Sequence, residues 1–338
     1  METKIIKSDD KNLISEAAKA VFNGEIAAFP TETVYGLGGN ALLEESAFKI
    51  YSAKGRPLDN PLIVHIAEFN QVYDIAEDIP ESFLKLAKHF WPGPLTMILK
   101  KKALIPDSVT AKLDTVAIRF PKNETAQFFI KSAGCPIAAP SANISGLVSP
   151  TKAEYVYDDF NGKIPYIIDG GDCEEGLEST VITLAGDTPV ILRPGSITFE
   201  QIREILPDVK LHDSLINSKT EVVNPASPGM KYKHYSPKAE VYLLSGDFEN
   251  QKNFIAENAD DEACGFVFKE FGLDIKNTFS LGSRKNLREM GTKVFSLMRE
   301  ADKKGYKKIY IPAISEDNIG LAIMNRLKKA AGGKFIKL

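Results

Sequence analysis

The sequence predicts an α/β protein of two domains that are joined by a linker. Three observations support this prediction. Helical and extended patterns alternate through residues 10–206, as they do where helices pack on a sheet. The periodicity is lost in residues 208–238 and restarts over residues 239–338 as a second, smaller α/β unit. The length of 338 residues, of which 43% are apolar, is sufficient for two cores, so the first domain is predicted at residues 1–207.

The elements of the first domain follow from two kinds of pattern. Amphipathic spacing bounded by glycine or proline predicts helices, and short apolar runs that end at proline or a polar residue predict strands. The predicted helices are residues 12–22, 43–53, 80–90 and 124–132. The predicted strands are residues 25–29, 62–66, 95–99, 115–120, 136–139, 166–168, 180–184 and 190–192.

The same patterns recur in the second domain, and the linker between the domains lacks them. Proline, serine, asparagine and lysine dominate the linker, residues 208–238. Its second half, residues 227–237, combines aromatic and basic side chains, which favours a functional segment over a plain spacer. We therefore expect the linker to close over a site as a lid. In the second domain, strands are predicted at residues 241–244, 264–268 and 308–312, and helices at residues 248–258, 286–301 and 319–331.

Composition disfavours several classes of protein. No stretch approaches the roughly 18 uninterrupted apolar residues of a membrane span, and the charged N-terminus lacks a signal-peptide core, so we expect a cytoplasmic protein with no membrane contact. The cysteines and histidines form no metal-binding pair, so we expect no metal site built by the protein alone. Residues 1–207 contain 20 Lys and Arg against 28 Asp and Glu, a net charge of −8, which disfavours general nucleic-acid binding. A local basic concavity could still exist among them.

Residues 30–39, PTETVYGLGG, lie between a predicted strand and a predicted helix. Glycines allow the backbone to approach a ligand closely, and the hydroxyls of Thr31 and Thr33 can bond a small polar ligand. An ordinary strand-to-helix turn is the competing interpretation. Residues 36–41 also fit the dinucleotide pattern G-x-G-x-x-A, but they do not follow their strand directly, which disfavours nicotinamide binding.

A second segment, residues 54–62, forms a stiff basic loop in which Lys54 and Arg56 are followed by two prolines. A pre-organised arginine fork favours phosphate binding, whereas a solvated turn is the alternative interpretation. No G-x-x-x-x-G-K-[ST] motif occurs, so ATP would need a site other than a P-loop. Polar residues also recur where predicted strands meet loops, the edge at which open α/β sheets bind ligands. These residues are His65, Arg119, Ser141, Asn143, Ser179 and Arg193.

Six ordered motifs resemble those of the YrdC-like threonylcarbamoyl-adenylate synthases, in the longer form with an additional C-terminal domain. The motifs read FPTETVYGLG, KGRPLDNPLIVH, APSANISG, STV, RPG and, in the linker, SPGMKYKHYSP. The resemblance implies an open, twisted sheet domain with a positively charged concave cavity, followed by a linker and a smaller Rossmann-like domain. It also implies that threonylcarbamoyl-AMP and pyrophosphate are made from L-threonine, bicarbonate and ATP, with Mg²⁺ held mainly by ATP. A tRNA threonylcarbamoyl transferase complex would then receive the product.

The resemblance further assigns residues to the two ligands. A linker tyrosine, Tyr232 or Tyr235, is expected to close over the nucleotide. Because two anions must meet, Lys54, Arg56 and Arg119 are expected to be catalytic as cations that offset the repulsion. The positions that match threonine-binding residues are Thr33, His65, Arg119 and Ser179. The positions that match ATP-binding residues are Arg56, Asn60, Thr115, Ser141, Ser149 and Arg193, with Lys54 and Asn143 as neighbours.

Two other functions remain open at this point. One is carbamoyl-adenylate chemistry of the kind found in hydrogenase maturation proteins, whose zinc-finger and acylphosphatase segments have no counterpart in the sequence. The other is a non-enzymatic RNA-binding module that uses a concave basic surface, which the net charge of −8 over residues 1–207 disfavours. Direct binding of tRNA by an enzyme of this kind is also left open.

Overall fold

A computed structural model describes residues 2–216, 235–272 and 276–338, and within them the chain forms two sheets. The strands of the larger sheet are β1 (Lys4–Lys7), β2 (Ile26–Phe29), β3 (Gly36–Asn40), β4 (Ile63–His65), β5 (Ala76–Glu77), β6 (Leu95–Lys101), β7 (Thr115–Arg119), β8 (Ile137–Ala139), β9 (Tyr166–Asp169), β10 (Thr180–Thr183), β11 (Val190–Arg193) and β12 (Lys210–Leu211). The accompanying helices are α1 (Lys11–Phe22), α2 (Glu44–Lys54), α3 (Gln71–Ile75), α4 (Glu81–Phe90), α5 (Asp107–Thr110), α6 (Glu124–Ala133), α7 (Ala153–Phe160), α8 (Phe199–Ile205) and α9 (Asp213–Ile216).

The larger sheet is open and mixed. Its strands follow the order β1-β9-β2-β3-β8-β4-β7-β6-β10-β11-β12, and β5 pairs with β6. β4 and β7 run parallel, in a register that places His65 opposite Arg119. β3 runs antiparallel to both β2 and β8. The predicted α/β architecture is therefore confirmed, and two of the predicted site residues end neighbouring strands at the same level.

Helices cover both faces of this sheet. Along β2, Ala28 belongs to the core that also contains buried residues of α2 and α4, whereas Ala27 and Phe29 pack on the opposite face with α1 and α6. The helix α1 illustrates the local cause. The side chain of Asp10 accepts a hydrogen bond from the backbone N–H of Leu13 and caps the helix, and the buried residues of α1 recur at helical spacing.

The glycine-rich residues 36–40 form the strand β3, not a strand-to-helix turn. A Cβ atom on Gly38 would lie 2.6 Å from Cγ2 of Ile137 and 2.8 Å from the ring of Phe29. Only glycine therefore lets β3 lie between its two neighbours. The sequence analysis did not predict this strand, whose glycines serve close packing, and residues 30–35 form the loop between β2 and β3.

Sheet pairing continues past residue 207, where the first domain was predicted to end. β12 pairs in parallel with β11, with Val190 opposite Lys210, and α9 follows it. The physical reason is that Val209 and Leu211 pack against the core of the larger sheet. The beginning of the predicted linker is therefore part of the first sheet, and residues 217–234 of that linker lie outside the described residues.

The second domain is a five-stranded parallel sheet in the order β15-β14-β16-β13-β17. Its hydrophobic core also contains Val34, Val148 and Leu177 of the first domain, so the two domains pack together beside the sequence motifs. No helix of the described residues is long and apolar enough to cross a membrane, and the cytoplasmic location stays a prediction. The elements are β13 (Glu240–Ser245), α10 (Phe248–Asn258), β14 (Ala263–Phe268), β15 (Thr278–Gly282), α11 (Leu287–Lys303), β16 (Lys308–Pro312), α12 (Ile319–Ala331) and β17 (Phe335–Lys337).

Candidate active site

The ends of several strands of the larger sheet open into one cavity. Residues 33–36, the ends of β4, β7, β8 and β11, and the loop that follows β8 all line it. A bridge between Gly36 and Ser141 holds two of the motif segments side by side. The predicted site residues that line the cavity are Thr33, Arg56, His65, Arg119, Ser141, Asn143, Ser149, Ser179, Arg193 and Tyr235.

Arg119 and Thr33 form one corner of the cavity. Nη1 of Arg119 donates a hydrogen bond to the hydroxyl of Thr33 at 2.8 Å, and the hydroxyls of Thr31 and Thr33 lie 2.9 Å apart. Nη2 of Arg119 lies 2.9 Å from Oε1 of Glu32, and both side chains are buried. Nε of Arg119 has no hydrogen-bond partner among the described residues. This corner therefore offers a fixed guanidinium, together with hydroxyl groups, to a small ligand.

His65 lies beside Arg119 and is uncharged. Burial, with the charge of Arg119 as the second cause, lowers the pKa of His65 from 6.5 to about 3. Nδ1 of its ring lies 3.0 Å from the backbone oxygen of Ile63, which fixes the ring. His65 can therefore exchange hydrogen bonds with a bound amino acid at neutral pH, but it adds no charge there.

Arg193 and Ser179 form a second corner. Nε of Arg193 donates to the backbone oxygen of Ser179 at 3.1 Å, and Nη2 donates to its hydroxyl at 3.1 Å. The same hydroxyl lies 2.7 Å from that of Thr96. A Cβ atom on Gly195 would lie 2.3 Å from the backbone nitrogen of Thr180, so the RPG and STV segments touch through their backbones.

Lys54 lies beneath the loop of residues 141–149 and is not among the cavity-lining residues. Its ammonium donates to the backbone oxygen of Ser141 at 2.6 Å and also to that of Asn143. Burial, helped by the nearby charge of Arg56, lowers the pKa of Lys54 well below 10.5. Lys54 therefore does not line the cavity in which it was expected as a neighbour of the ATP-binding residues, because it bonds the backbone of the loop, and its catalytic role stays a prediction.

The loop itself is ordered by Asn143. Its Nδ2 donates to the backbone oxygens of Ile144 at 2.8 Å and Leu147 at 2.9 Å, and its Oδ1 accepts from the hydroxyl of Ser141. Asn143 thereby closes a compact turn that presents Ser141 and Ser149 to the cavity.

Arg56 lines the cavity, whereas the neighbouring predicted residues do not. Arg56 donates to the backbone oxygens of Asn60 at 3.2 Å and Pro61 at 3.1 Å. Burial lowers the pKa of Arg56 to about 10, so it remains charged at neutral pH. Asn60 is buried behind this arginine, and Thr115 begins β7 at the end opposite Arg119. The assignments of Asn60 and Thr115 to ATP stay predictions.

Two carboxylates of this site were missed by the sequence analysis. Glu32 pairs with Arg119 behind the cavity wall, and Glu178 lines the cavity next to Ser179. Each belongs to a motif, since Glu32 lies in PTETVYG and Glu178 directly precedes STV. An acidic residue inside an otherwise apolar and hydroxylated motif is the signal that could have identified them.

Tyr235 is the predicted linker tyrosine that lies within the described residues, whereas Tyr232 lies outside them. The ring of Tyr235 lines the cavity and stacks on Phe295 of the second domain with centroids 5.4 Å apart. Its φ of 63° is unusual for a residue other than glycine, so packing must hold this conformation.

The charges that face the cavity favour an anionic ligand. Arg56, Arg119 and Arg193 supply three guanidinium groups, although residues 1–207 carry a net charge of −8. Glu178 is already engaged by Ser149 and by Arg326 of the second domain. The described residues contain no cluster of three or more His, Cys, Asp or Glu able to hold a metal ion. Anion binding here would therefore rest on the arginines and hydroxyls.

Comparisons with known proteins match both domains of the chain. A family model described as "Telomere recombination" matches residues 19–195, and one described as "Threonylcarbamoyl-AMP synthase, C-terminal domain" matches residues 197–332. This chain belongs to the threonylcarbamoyl-AMP synthase family. A synthase from Pyrococcus abyssi is 44% identical to it, and the match covers 95% of both chains. A synthase from Bacillus subtilis is also 44% identical, and the match covers 96% of this chain and 94% of the relative.

A solved structure of a synthase from this family has the same two-domain architecture. The crystal structure of P. abyssi Sua5 complexed with L-threonine matches this chain with a TM-score of 0.92 and 42% sequence identity. The match covers 99% of this chain and 100% of the other. The longer, two-domain form predicted from the motifs is therefore confirmed.

Proposed function

We propose that this chain catalyses the formation of threonylcarbamoyl-AMP and pyrophosphate from L-threonine, bicarbonate and ATP, as a nucleotidyltransferase. The observation that carries the proposal is the convergence of Arg56, Arg119 and Arg193 with ordered hydroxyl groups in one cavity. Relatives of matching length are named threonylcarbamoyl-AMP synthase, and one has been crystallised with L-threonine, which supports the choice of substrates.

The Arg119 corner is the proposed site for threonine. The guanidinium is oriented by Glu32 and by Thr33, and its buried Nε is available to a carboxylate. The hydroxyls of Thr33 and Ser179 are suited to recognise the hydroxyl of threonine through hydrogen bonds. Neutral His65 adds a hydrogen-bonding group without repelling the ammonium of the amino acid.

Arg56 and Arg193 are the proposed partners of the ATP phosphates, with Ser141 and Ser149 beside them. In the proposed reaction, the neutral amine of threonine bonds to the carbon of carbon dioxide with loss of a proton, or to that of bicarbonate with loss of water, and a carbamate forms. A carbamate oxygen then bonds to the α-phosphorus, and the bond from that phosphorus to the bridging oxygen breaks as pyrophosphate leaves. Both reactants are anionic, so fixed cations that offset their repulsion are the main contribution of the protein.

No covalent enzyme intermediate is needed, because positioning alone can supply about 7–11 kcal/mol of barrier reduction. The hydroxyls of Ser141, Ser149 and Ser179 all have structural partners, and none is paired with a histidine as an activated nucleophile would be. Mg²⁺ held by the ATP phosphates would offset negative charge there, since Glu178 is occupied by protein partners.

The product would pass to a tRNA threonylcarbamoyl transferase complex, as the resemblance implies. An RNA-binding module is the weaker alternative. Arg56, Arg119 and Arg193 are each less than a tenth exposed, so they cannot form an open basic surface for a nucleic acid. The enclosure of the cations favours small ligands.

Pyrophosphate release tests the proposal directly. The purified chain would be given ATP and Mg²⁺ with threonine, bicarbonate or both omitted in turn. We expect release only when both are present. Release in the absence of either, or no release in the complete mixture, would contradict the proposal, and a filter-binding assay with tRNA at physiological salt would then test the alternative.

A further inference from the structure

One arginine of the second domain reaches the cavity wall of the first. The side chain of Arg326, in α12, is fully buried. Its Nε donates to Oε2 of Glu178 at 3.1 Å, and its Nη2 donates to the backbone oxygen of the same residue at 3.4 Å. Nη1 donates to the backbone oxygen of Pro194. A single guanidinium therefore holds both the STV and the RPG segments of the active site.

Glu178 transmits this contact to the nucleotide side of the cavity. One of its carboxylate oxygens is bound by Arg326, and the other accepts a hydrogen bond from the hydroxyl of Ser149. Burial raises the pKa of Glu178, but the charges of Arg326 and Arg193 and the Ser149 hydrogen bond outweigh it, and the net direction is downward. Glu178 is thus held ionised in one orientation.

The surrounding packing makes this contact part of the domain interface. Leu177, the residue before Glu178, belongs to the core of the second domain. A Cβ atom on Gly176 would lie 2.4 Å from the backbone oxygen of Thr292, so α11 packs directly on this segment. The guanidinium of Arg326 also lies 5.8 Å from the ring centroid of Tyr235, which lines the cavity.

We propose that Arg326 is a positioning residue for the active site, which holds Ser149 through Glu178 and the RPG segment through the backbone oxygen of Pro194, where both segments meet ATP. The second domain then contributes to the first by completing the nucleotide side of the cavity. This inference rests on the proposed function for the identity of the ligand. The ion pair itself spans 148 residues of sequence, so the second domain is needed to make it.

The test compares the KM for ATP with the KM for threonine. Arg326→Met removes the cation and leaves Glu178 buried without its main partner, which is costly for the group left behind. We expect the KM for ATP to rise by about tenfold or more. The KM for threonine should change by less than about twofold, because the hydroxyl of Ser179 keeps its own partners, Thr96 and Arg193, in the first domain. In the double variant with Glu178→Gln, part of the loss should be recovered, because the unpaired charge is removed.

A matched control separates positioning from stability. Ser296→Ala, in α11, also removes a side-chain contact from the domain interface, the hydrogen bond at 2.8 Å between its hydroxyl and that of Tyr155, and neither residue lines the cavity. It should lower Tm, with a much smaller effect on the KM for ATP. An equal rise in that KM for both variants, or an unchanged KM for ATP in Arg326→Met, would overturn the inference.

The pH dependence of the KM for ATP distinguishes positioning through Glu178 from a purely structural role, which would leave that dependence unchanged. Without Arg326 the pKa of Glu178 should rise, so the KM for ATP in Arg326→Met should vary between pH 5 and 8. The variation should vanish when Glu178→Gln is added, and its persistence there would count against a role through Glu178. If the wild-type chain released no pyrophosphate, the proposed function would fail, and calorimetric ATP binding to the same variants would still decide the role of Arg326.

Discussion

The two corners of the cavity are stabilised in different ways. Around Arg119, the partners are Glu32 and Thr33, which all come from the first domain. Around Glu178, the partner is Arg326 from the second domain. The comparison indicates that the Arg119 corner, proposed for threonine, is assembled by the first domain alone, whereas the side proposed for the nucleotide needs both domains. Variants at the two corners should therefore separate the two substrates.

The largest expected effect comes from Arg119→Ala. The change removes the proposed carboxylate partner and leaves Glu32 buried and unpaired, a situation that costs about 3–5 kcal/mol. We expect kcat/KM for threonine to fall by about 100-fold or more, with a smaller change in the KM for ATP. Steady-state pyrophosphate release at varied threonine measures this, and wild-type rates at low threonine would refute the assignment.

Arg56→Ala tests the corresponding assignment on the other side of the cavity, that of Arg56 to the ATP phosphates. Arg56 lines the cavity and is fixed by the backbone oxygens of Asn60 and Pro61. Its removal should raise the KM for ATP by about tenfold or more and leave the KM for threonine nearly unchanged. Titration of each substrate at saturating levels of the other gives both constants, and a selective loss of threonine binding would reverse the two assignments.

Substrate analogues sharpen the description of the threonine corner. Serine lacks only the methyl group, which costs about 1–3 kcal/mol of discrimination, so slow use of serine is expected. Valine lacks the hydroxyl and would place a methyl group against the buried hydroxyls of Thr33 and Ser179, so negligible use is expected. Pyrophosphate release with each amino acid checks this. Equal rates for valine and threonine would show that Thr33 and Ser179 do not recognise the substrate hydroxyl.

Gly195→Ala should disturb the joint between the STV and RPG segments. The added Cβ would meet the backbone of Thr180 at 2.3 Å and that of Glu178 at 2.6 Å, so overpacking of about 1–3 kcal/mol is expected. Gly186→Ala is the matched control, since a Cβ atom there meets nothing within 4 Å. Thermal unfolding of both variants tests this prediction. An equal Tm would show that the backbone of the two segments shifts to accommodate the added methyl group at little cost.

The smallest effect at neutral pH is a pH dependence of stability from His65, which develops only as the pH falls. Its pKa of about 3 in the folded protein is below the ordinary 6.5, so the unfolded chain binds the proton more tightly. The contribution to stability is then complete above pH 6.5 and is lost as the pH falls toward 3, at up to ~1.4 kcal/mol per pH unit. Between pH 7.5 and 5, Tm should fall more for the wild type than for His65→Gln, and parallel profiles would contradict this.

The strand-end residues could be predicted from sequence because strand ends are local features. His65 and Arg119 each end a short apolar run, and parallel pairing of those runs brings them together. Lys54 shows the limit of such reasoning. It was expected in the cavity as a catalytic cation, yet the fold places it under residues 141–149, where its ammonium donates to two backbone oxygens.

The ion pairs that orient the site could not be predicted, because their partners are distant in sequence. Glu178 and Arg326 meet only after the two domains have packed. One signal was present in the helix of residues 319–331, where Arg326 shares the buried face with Ala322 and Ile323. A charge on the apolar face of a helix indicates a buried partner, but it does not identify that partner.

Equilibrium binding of threonine to Arg119→Ala and Arg326→Met, measured by calorimetry beside the wild type, tests the contrast between the two corners most directly. Both variants remove one arginine from a buried ion pair, so they are comparable perturbations. We expect Arg119→Ala to lose measurable threonine binding and Arg326→Met to keep a Kd within about twofold of the wild type. Loss of threonine binding in Arg326→Met, or retention in Arg119→Ala, would show that the corners are not separate.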